Sequence, residues 1–100
     1  MPKLYEYLGL TVFFYANEHE PIHVHARYQG RESKAEIILE DGLIREIIFS
    51  EVAGKRPLDG QKLRDFQALV AAKGTQIVEK WIDCFVNNRR IKAEVINREL

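Results

Sequence analysis

The stretch "HVHARYQGRESKAEIILE", residues 23–40, decides the fold of this chain, because two alternating runs flank a turn signal. In the first run Val24 and Ala26 fall on one face of a strand, and polar residues fall on the other. The second run alternates in the same way. Gln29-Gly30, between the two runs, is a turn signal, which we interpret as a two-residue hairpin turn. The stretch therefore predicts a β-hairpin with one apolar face and one polar face.

The turn also predicts which residues lie opposite each other, because pairing is counted outward from it. The expected pairs are Ile22–Ile37 and Val24–Ala35 on the apolar face, and His23–Glu36, His25–Lys34 and Arg27–Glu32 on the polar face. The agreement of the apolar pairs supports this register. It brings His23, His25 and Glu36 within reach of one another.

Further strands are predicted on both sides of the hairpin. Upstream, "LTVFFYA" (Leu10 to Ala16) is rich in aromatic and β-branched residues and is apolar on both faces, which indicates a central, covered strand. Downstream, Asp41-Gly42 is a second turn signal, and "IREIIFSE" (residues 44–51) follows it as a fourth strand. Four strands joined by short connections predict an antiparallel meander.

The second half of the chain has the apolar spacing of helices. One helix is predicted from about Asp59 to Lys73, where Gly74 would end it. Thr75 is a suitable N-cap for a second helix, which carries Trp81. The segment "IKAEVI", residues 91–96, alternates and could form a short fifth strand.

These elements predict one α+β domain over residues 1–100: an antiparallel four- or five-stranded meander sheet with two helices packed on one face. The apolar hairpin residues, Leu39 included, would face the helices. The histidine-bearing face would then point outward.

The composition limits the classes of function. Lys plus Arg and Asp plus Glu both total 15, so the net charge is zero and any contact with nucleic acid needs a local basic patch. Neutral charge also favours association between proteins. The single cysteine, Cys84, makes a cysteine-based zinc site unexpected. The sequence contains no signal-peptide pattern and no apolar stretch that could span a membrane, so we expect a cytoplasmic protein.

The three histidines lie within seven residues and define the candidate site. The candidate binding residues are His19, His23, His25, Arg27, Tyr28 and Glu36. Within this set His23, His25 and Glu36 form a possible ligand set for a divalent metal, with His19 as a possible fourth ligand. Lys34, opposite His25, argues against a bound cation. A solvated sheet face with no task, and a role in recognition or catalysis, remain alternatives.

Aromatic residues near the N-terminus allow two interpretations. Phe13, Phe14 and Tyr15, with two earlier tyrosines, could form a stacking platform for bases. Alternatively Phe14 belongs to the core, and Phe13 and Tyr15 pack under a neighbouring element or a partner chain. The sequence contains no glycine-rich phosphate loop, serine nucleophile elbow or paired catalytic carboxylates.

The stretch "NEHEPIHVHARY", residues 17–28, resembles a family of small bacterial proteins grouped as domain of unknown function 4160. Its pattern runs roughly as an aromatic strand, Asn-Asp-His-x-Pro-Pro-His-x-His-x-x-Tyr, two helices with a Trp in the second, and a short final strand. The matching residues are Asn17, His19, Pro21, His23, His25, Tyr28 and Trp81. Glu18 and Ile22 depart from the pattern.

The resemblance implies the fold but carries no established activity. Members look like partners of another small protein encoded beside them, which implies a toxin–antitoxin-like or regulatory pair and assigns no role to the histidines. Because no catalytic constellation is complete and the net charge is zero, we expect a non-enzymatic binding protein without a cofactor, with a small protein partner or a second copy of itself. The alternatives are an RNA-directed toxin component, in which His23 or His25 acts as acid or base, and a divalent-metal-binding protein.

Overall fold

The structure, a computed structural model, describes residues 1–16 and 21–100. The strands are β1 (Lys3–Tyr7), β2 (Leu10–Phe13), β3 (Ile22–Tyr28), β4 (Arg31–Glu40), β5 (Leu43–Glu51) and β6 (Glu94–Ile96), and the helix is α1 (Gly60–Phe85). The strands form a six-stranded sheet in the spatial order β5-β4-β3-β2-β1-β6. The predicted α+β class is confirmed, but the described residues contain one helix where two were predicted.

The central hairpin has the predicted register. Gln29 and Gly30 have φ angles of 46° and 79°, as both central residues of a type I′ turn require. All five predicted cross-strand pairs occur between β3 and β4. The second predicted turn has the same form, with φ angles of 53° at Asp41 and 79° at Gly42.

A third tight turn, at Leu8-Gly9, is absent from the sequence-based prediction. Its φ angles are 49° and 89°, so a leucine takes the left-handed conformation that usually falls to Asn, Asp or Gly. The Lys62 side chain reaches the turn and donates a hydrogen bond to the carbonyl oxygen of Leu8. The turn pairs β1 with β2, so β2 is an interior strand with neighbours on both sides.

The sheet is mixed, which corrects the prediction of an antiparallel meander. β6 pairs in parallel with β1, with Tyr5 opposite Glu94 and Tyr7 opposite Ile96. The predicted strand over residues 91–96 is therefore shorter, and a long crossover through α1 brings it to β1. A parallel pair requires such a crossover, whereas a meander is built from short turns.

A single helix replaces the predicted pair because Gly74 continues the helix. Gly74 is buried against β5, and a Cβ built on it would lie 2.9 Å from Cδ1 of Ile44. The missing side chain lets α1 approach the sheet at this point. Thr75, the predicted N-cap, is an exposed residue within the helix. The helix ends after Phe85, and Asn88 takes a φ of 53° just beyond it.

The core lies between the helix and one face of the sheet. Residues from four strands, the helix and two connecting segments form it: Leu4, Tyr5, Tyr7, Leu10, Val12, Phe14, Ile22, Val24, Ala26, Ala35, Ile37, Leu58, Phe66, Leu69, Val70, Ile77 and Trp81. Leu39 is the exception among the predicted inner residues, because its exposed fraction is 37%. The register between β4 and β5 shifts between Ile38 and Leu39, near the hairpin tip.

The close approach at Gly74 generates a stability prediction. We expect Gly74→Leu to lower the free energy of unfolding by roughly 2 kcal/mol or more, since the added side chain overpacks the contact with Ile44. Chemical denaturation followed by circular dichroism measures it. Thr75→Leu, one position along on the exposed side of α1, is the matched control and should change stability by less than about 0.5 kcal/mol. Equal stability of the two variants would contradict the proposed close contact.

Candidate functional site

The face of the sheet opposite α1, here called the outer face, carries a buried polar cluster. Its members come from three adjacent strands and the residues that follow β2: Phe13, Tyr15, His25, Arg27 and Glu32. We call this group the Glu32 cluster. The sheet brings it together because His25 lies opposite Phe13, and Arg27 lies opposite Glu32.

Glu32 is the centre of the cluster, with an exposed fraction of only 1%. The hydroxyl of Tyr15 donates to Oε2 of Glu32 at 2.8 Å, and Nδ1 of His25 lies 3.2 Å from the same oxygen. Nε and Nη2 of Arg27 donate to Oε1 at 3.4 and 3.3 Å. Both carboxylate oxygens therefore have partners, as a carboxylate removed from water requires.

Aromatic rings enclose His25. The Phe13 ring stacks on the imidazole at a centroid distance of 5.6 Å, and the Tyr15 ring meets it edge-on at 4.5 Å. The guanidinium of Arg27 lies 5.0 Å from the centroid of Phe13, a cation–π contact. The exposed fraction of His25 is 2%. The expectation of a solvated histidine face is therefore wrong for this residue, because aromatic side chains cover it on the outer face.

The pKa of the Tyr15 phenol is raised from its ordinary value. Burial raises its pKa above 10.0, and the hydrogen bond to Glu32 raises it further. Both effects disfavour the phenolate, the second because ionisation would place two negative charges side by side. Tyr15 therefore acts as a hydrogen-bond donor to Glu32 across the neutral pH range.

The other predicted binding residues are divided between the two faces of the sheet. Nε2 of His23 lies 3.8 Å from Oε1 of Glu36, and both side chains are partly exposed on the outer face. Tyr28 lies on the helix-facing side, where the ammonium of Lys62 is 4.7 Å from its ring centroid. His19 lies outside the described residues.

The predicted metal ligands do not form a metal site in the described part of the chain. No three His, Cys, Asp or Glu side chains of residues 1–16 and 21–100 are grouped so that they could hold a metal ion. Nδ1 of His25 faces Glu32, while His23 faces Glu36. The two histidines thus pair with different carboxylates, and Lys34 is the residue directly opposite His25.

Three members of the cluster were absent from the predicted site. Glu32 could have been found, because the register already placed it opposite Arg27. Phe13 and Tyr15 were predicted to pack under a neighbouring element or a partner chain, and they pack against a histidine of the adjacent strand. The contact of Tyr15 depends on the path of the chain after β2, which periodicity does not describe.

Comparison with known protein families identifies the family of this chain. The model of the family described as domain of unknown function (DUF4160) matches residues 9–82. The chain belongs to this family. The match runs from β2 into α1 and includes every member of the Glu32 cluster, while β1 and β6 lie outside it. No curated protein and no solved structure matches the chain.

Membrane-spanning helices are absent from the part of this DUF4160 chain that the structure describes. In residues 1–16 and 21–100, no helix is both long enough and apolar enough to cross a membrane.

The central position of Glu32 generates a stability prediction. We expect Glu32→Ala to lower the free energy of unfolding by roughly 2–4 kcal/mol, because it leaves Tyr15, His25 and Arg27 without their shared acceptor. Glu36→Ala is the matched control, on the same strand and the same face. It should cost less than about 1 kcal/mol, since its contact with His23 is long and partly exposed. Urea titrations measure both free energies of unfolding. An equal loss in Glu32→Ala and Glu36→Ala would show that Glu32 does not stabilise the fold more than Glu36 does.

The raised pKa of Tyr15 generates a pH prediction. Below pH 10 the phenol is protonated in both the folded and the unfolded chain, so its contribution to stability is fully present. Above pH 10 the unfolded chain loses this proton first, and stability falls until the pH passes the pKa of the folded state. We expect Tyr15→Phe to be less stable than the parent at pH 7 and to lose less stability between pH 9 and 11. Parallel stability curves for the two proteins would contradict this.

Proposed function

We propose that this protein is a non-enzymatic binding protein, which contacts a small protein partner through the outer face of its sheet. The observation that carries the proposal is the burial of His25. A general acid or base must reach the proton that it transfers, but the side chain of His25 is only 3% exposed. Glu32 is likewise enclosed and uses both oxygens within the cluster. This arrangement favours a rigid support over a catalytic pair.

The exposed groups around the cluster form the contact surface. The side chain of Arg27 is 41% exposed, although Glu32 and the Phe13 ring fix its position. His23 is partly exposed on the same strand, and Lys34 is partly exposed on the adjacent one. A guanidinium held in place in this way loses little conformational freedom on binding a carboxylate. An acidic group of the partner is therefore the expected contact of Arg27.

The mixture of charges on the outer face supports a protein partner over a nucleic acid. Glu36 lies beside His23, and Glu46 lies on the next strand along the same face, so basic groups do not form a continuous patch. Binding to phosphate backbones requires several basic groups placed together. Alternating charges instead suit a protein surface with its own mixture of charges.

The family membership indicates which protein to test as the partner. The resemblance to this family implied a partner encoded beside the gene, so we propose the product of the neighbouring gene as the protein to be tested. A regulatory pair of the toxin–antitoxin type is the corresponding biological role. In that pair this protein would act by binding and not by cleaving RNA.

The test is the affinity of the purified protein for the neighbouring gene product, measured by isothermal calorimetry. We expect Arg27→Gln and Lys34→Glu each to weaken binding at least about tenfold, since each removes a cation from the outer face. Arg64→Ala, an exposed arginine on α1, is the matched control and should bind as the parent does. Lys34 lies outside the Glu32 cluster, so we expect Lys34→Glu to leave the fold intact. A loss of affinity in this variant would then report the binding surface itself.

Two results would overturn the proposal. Unchanged affinity in both outer-face variants would show that the partner binds elsewhere. Salt-sensitive RNA binding, or growth arrest on expression that His25→Ala abolishes, would favour the RNA-directed alternative. Tyr28→Phe is a second control. Because Tyr28 lies on the helix-facing side, its replacement by Phe should leave the affinity unchanged.

A further inference from the structure

β5 is a terminal strand of the sheet and has unusual length for that position. It contains nine residues, and no strand of residues 1–16 and 21–100 pairs with its outer edge. Every second residue therefore turns its backbone N–H and C=O away from β4. Such an edge is a template for another strand, and proteins usually shorten, cover or charge it.

β5 carries partly exposed apolar side chains between its charged residues. Ile48, on the outer face, is 40% exposed, and Ile44, Ile47 and Phe49 on the helix-facing side are only partly buried. The register with β4 skips Arg45, as at a β-bulge, so the strand is regular only from Glu46 onward. The regular segment, residues 46–51, thus combines free backbone groups with apolar side chains on both faces.

The order of residues in β5 is self-complementary about Ile48. If a second copy of β5 pairs antiparallel with the first around a two-fold axis at Ile48, each Ile47 lies opposite Phe49 of the second copy. Within the regular segment, Glu46 lies opposite Ser50 of the second copy, so no like charges face each other. Ile48 then meets its own equivalent on the outer face. Apolar pairs across strands are stabilising.

Other positions of the axis give poorer pairing. An axis at Ile47 would place Glu46 opposite Ile48 of the second copy, and an axis at Glu46 would bring two Glu46 carboxylates together. An axis at Phe49 would place Ile47 opposite a glutamate, Glu51. Like charges that lie directly opposite each other are destabilising, and a charge opposite an apolar residue gains nothing.

We propose that two copies of this protein associate through β5, antiparallel and with the two-fold axis at Ile48, into one continuous twelve-stranded sheet. The interface uses the same surface on both copies, as two-fold symmetry requires. The net charge of zero removes general repulsion between the copies. The outer face of each copy stays continuous across the junction, so two Glu32 clusters lie on one surface.

Sedimentation velocity on the full chain, across micromolar to millimolar concentrations, tests the association. We expect a dimer whose dissociation constant rises at least about tenfold in Ile48→Lys, because two ammonium groups then face each other at the axis. Val95→Lys is the matched control. Val95 is a 63% exposed apolar residue on β6, at the other edge of the sheet, and its replacement should leave the dissociation constant unchanged.

Charge substitutions test the register. Ser50→Glu should weaken the dimer, since it places a second carboxylate opposite Glu46 of the other copy, and adding Glu46→Lys should restore it. A monomer at every concentration would overturn the proposal, as would a dimer that Ile48→Lys leaves intact or that the added Glu46→Lys fails to restore. This measurement contains no partner protein, so its failure is distinct from failure of the proposed partner binding.

Discussion

The register of the β3–β4 hairpin is the constraint on which the rest of the structure depends. The turn at Gln29-Gly30 fixes it, because only a few residue pairs tolerate the two left-handed conformations of a type I′ turn. A shift of β3 by one residue against β4 would move Val24 out of the core and would send His25 into it. The same register determines that Arg27 lies opposite Glu32, so one short turn positions both the core and the polar cluster.

Burial of the Glu32 cluster costs hydration free energy, which burial of the apolar core does not. A carboxylate taken out of water loses several kcal/mol of hydration, and its partners return this only when all the hydrogen bonds are made. An apolar residue at position 32 would avoid that loss. What the cluster provides is a fixed guanidinium at Arg27 and a covered histidine, both on the face opposite the helix. This is the physical basis of the proposal that the outer face is a binding surface, with His25 as part of its support.

The two ends of the sheet are built in different ways. At one end β6 is three residues long and pairs in parallel with β1, so little backbone remains available there. At the other end β5 is nine residues long and carries partly exposed apolar side chains. α1 packs against the middle strands and reaches β5 through Gly74, where the missing side chain allows contact with Ile44. The molecule is thus asymmetric, and its longer edge is the one suited to further pairing.

The sequence by itself determined the class of fold, two tight turns, the hairpin register and the faces on which most residues lie. These features depend on residues close together in the chain, so periodicity and turn chemistry reveal them. The tertiary structure alone decided that Gly74 lies within one helix, that β6 pairs with β1, and that Leu8-Gly9 forms a turn. It also decided that His25 is covered while His23 stays partly exposed, although both belong to one alternating face. Each of these depends on contacts between distant segments, and the local pattern at a glycine or a histidine is the same whether such a contact forms or not.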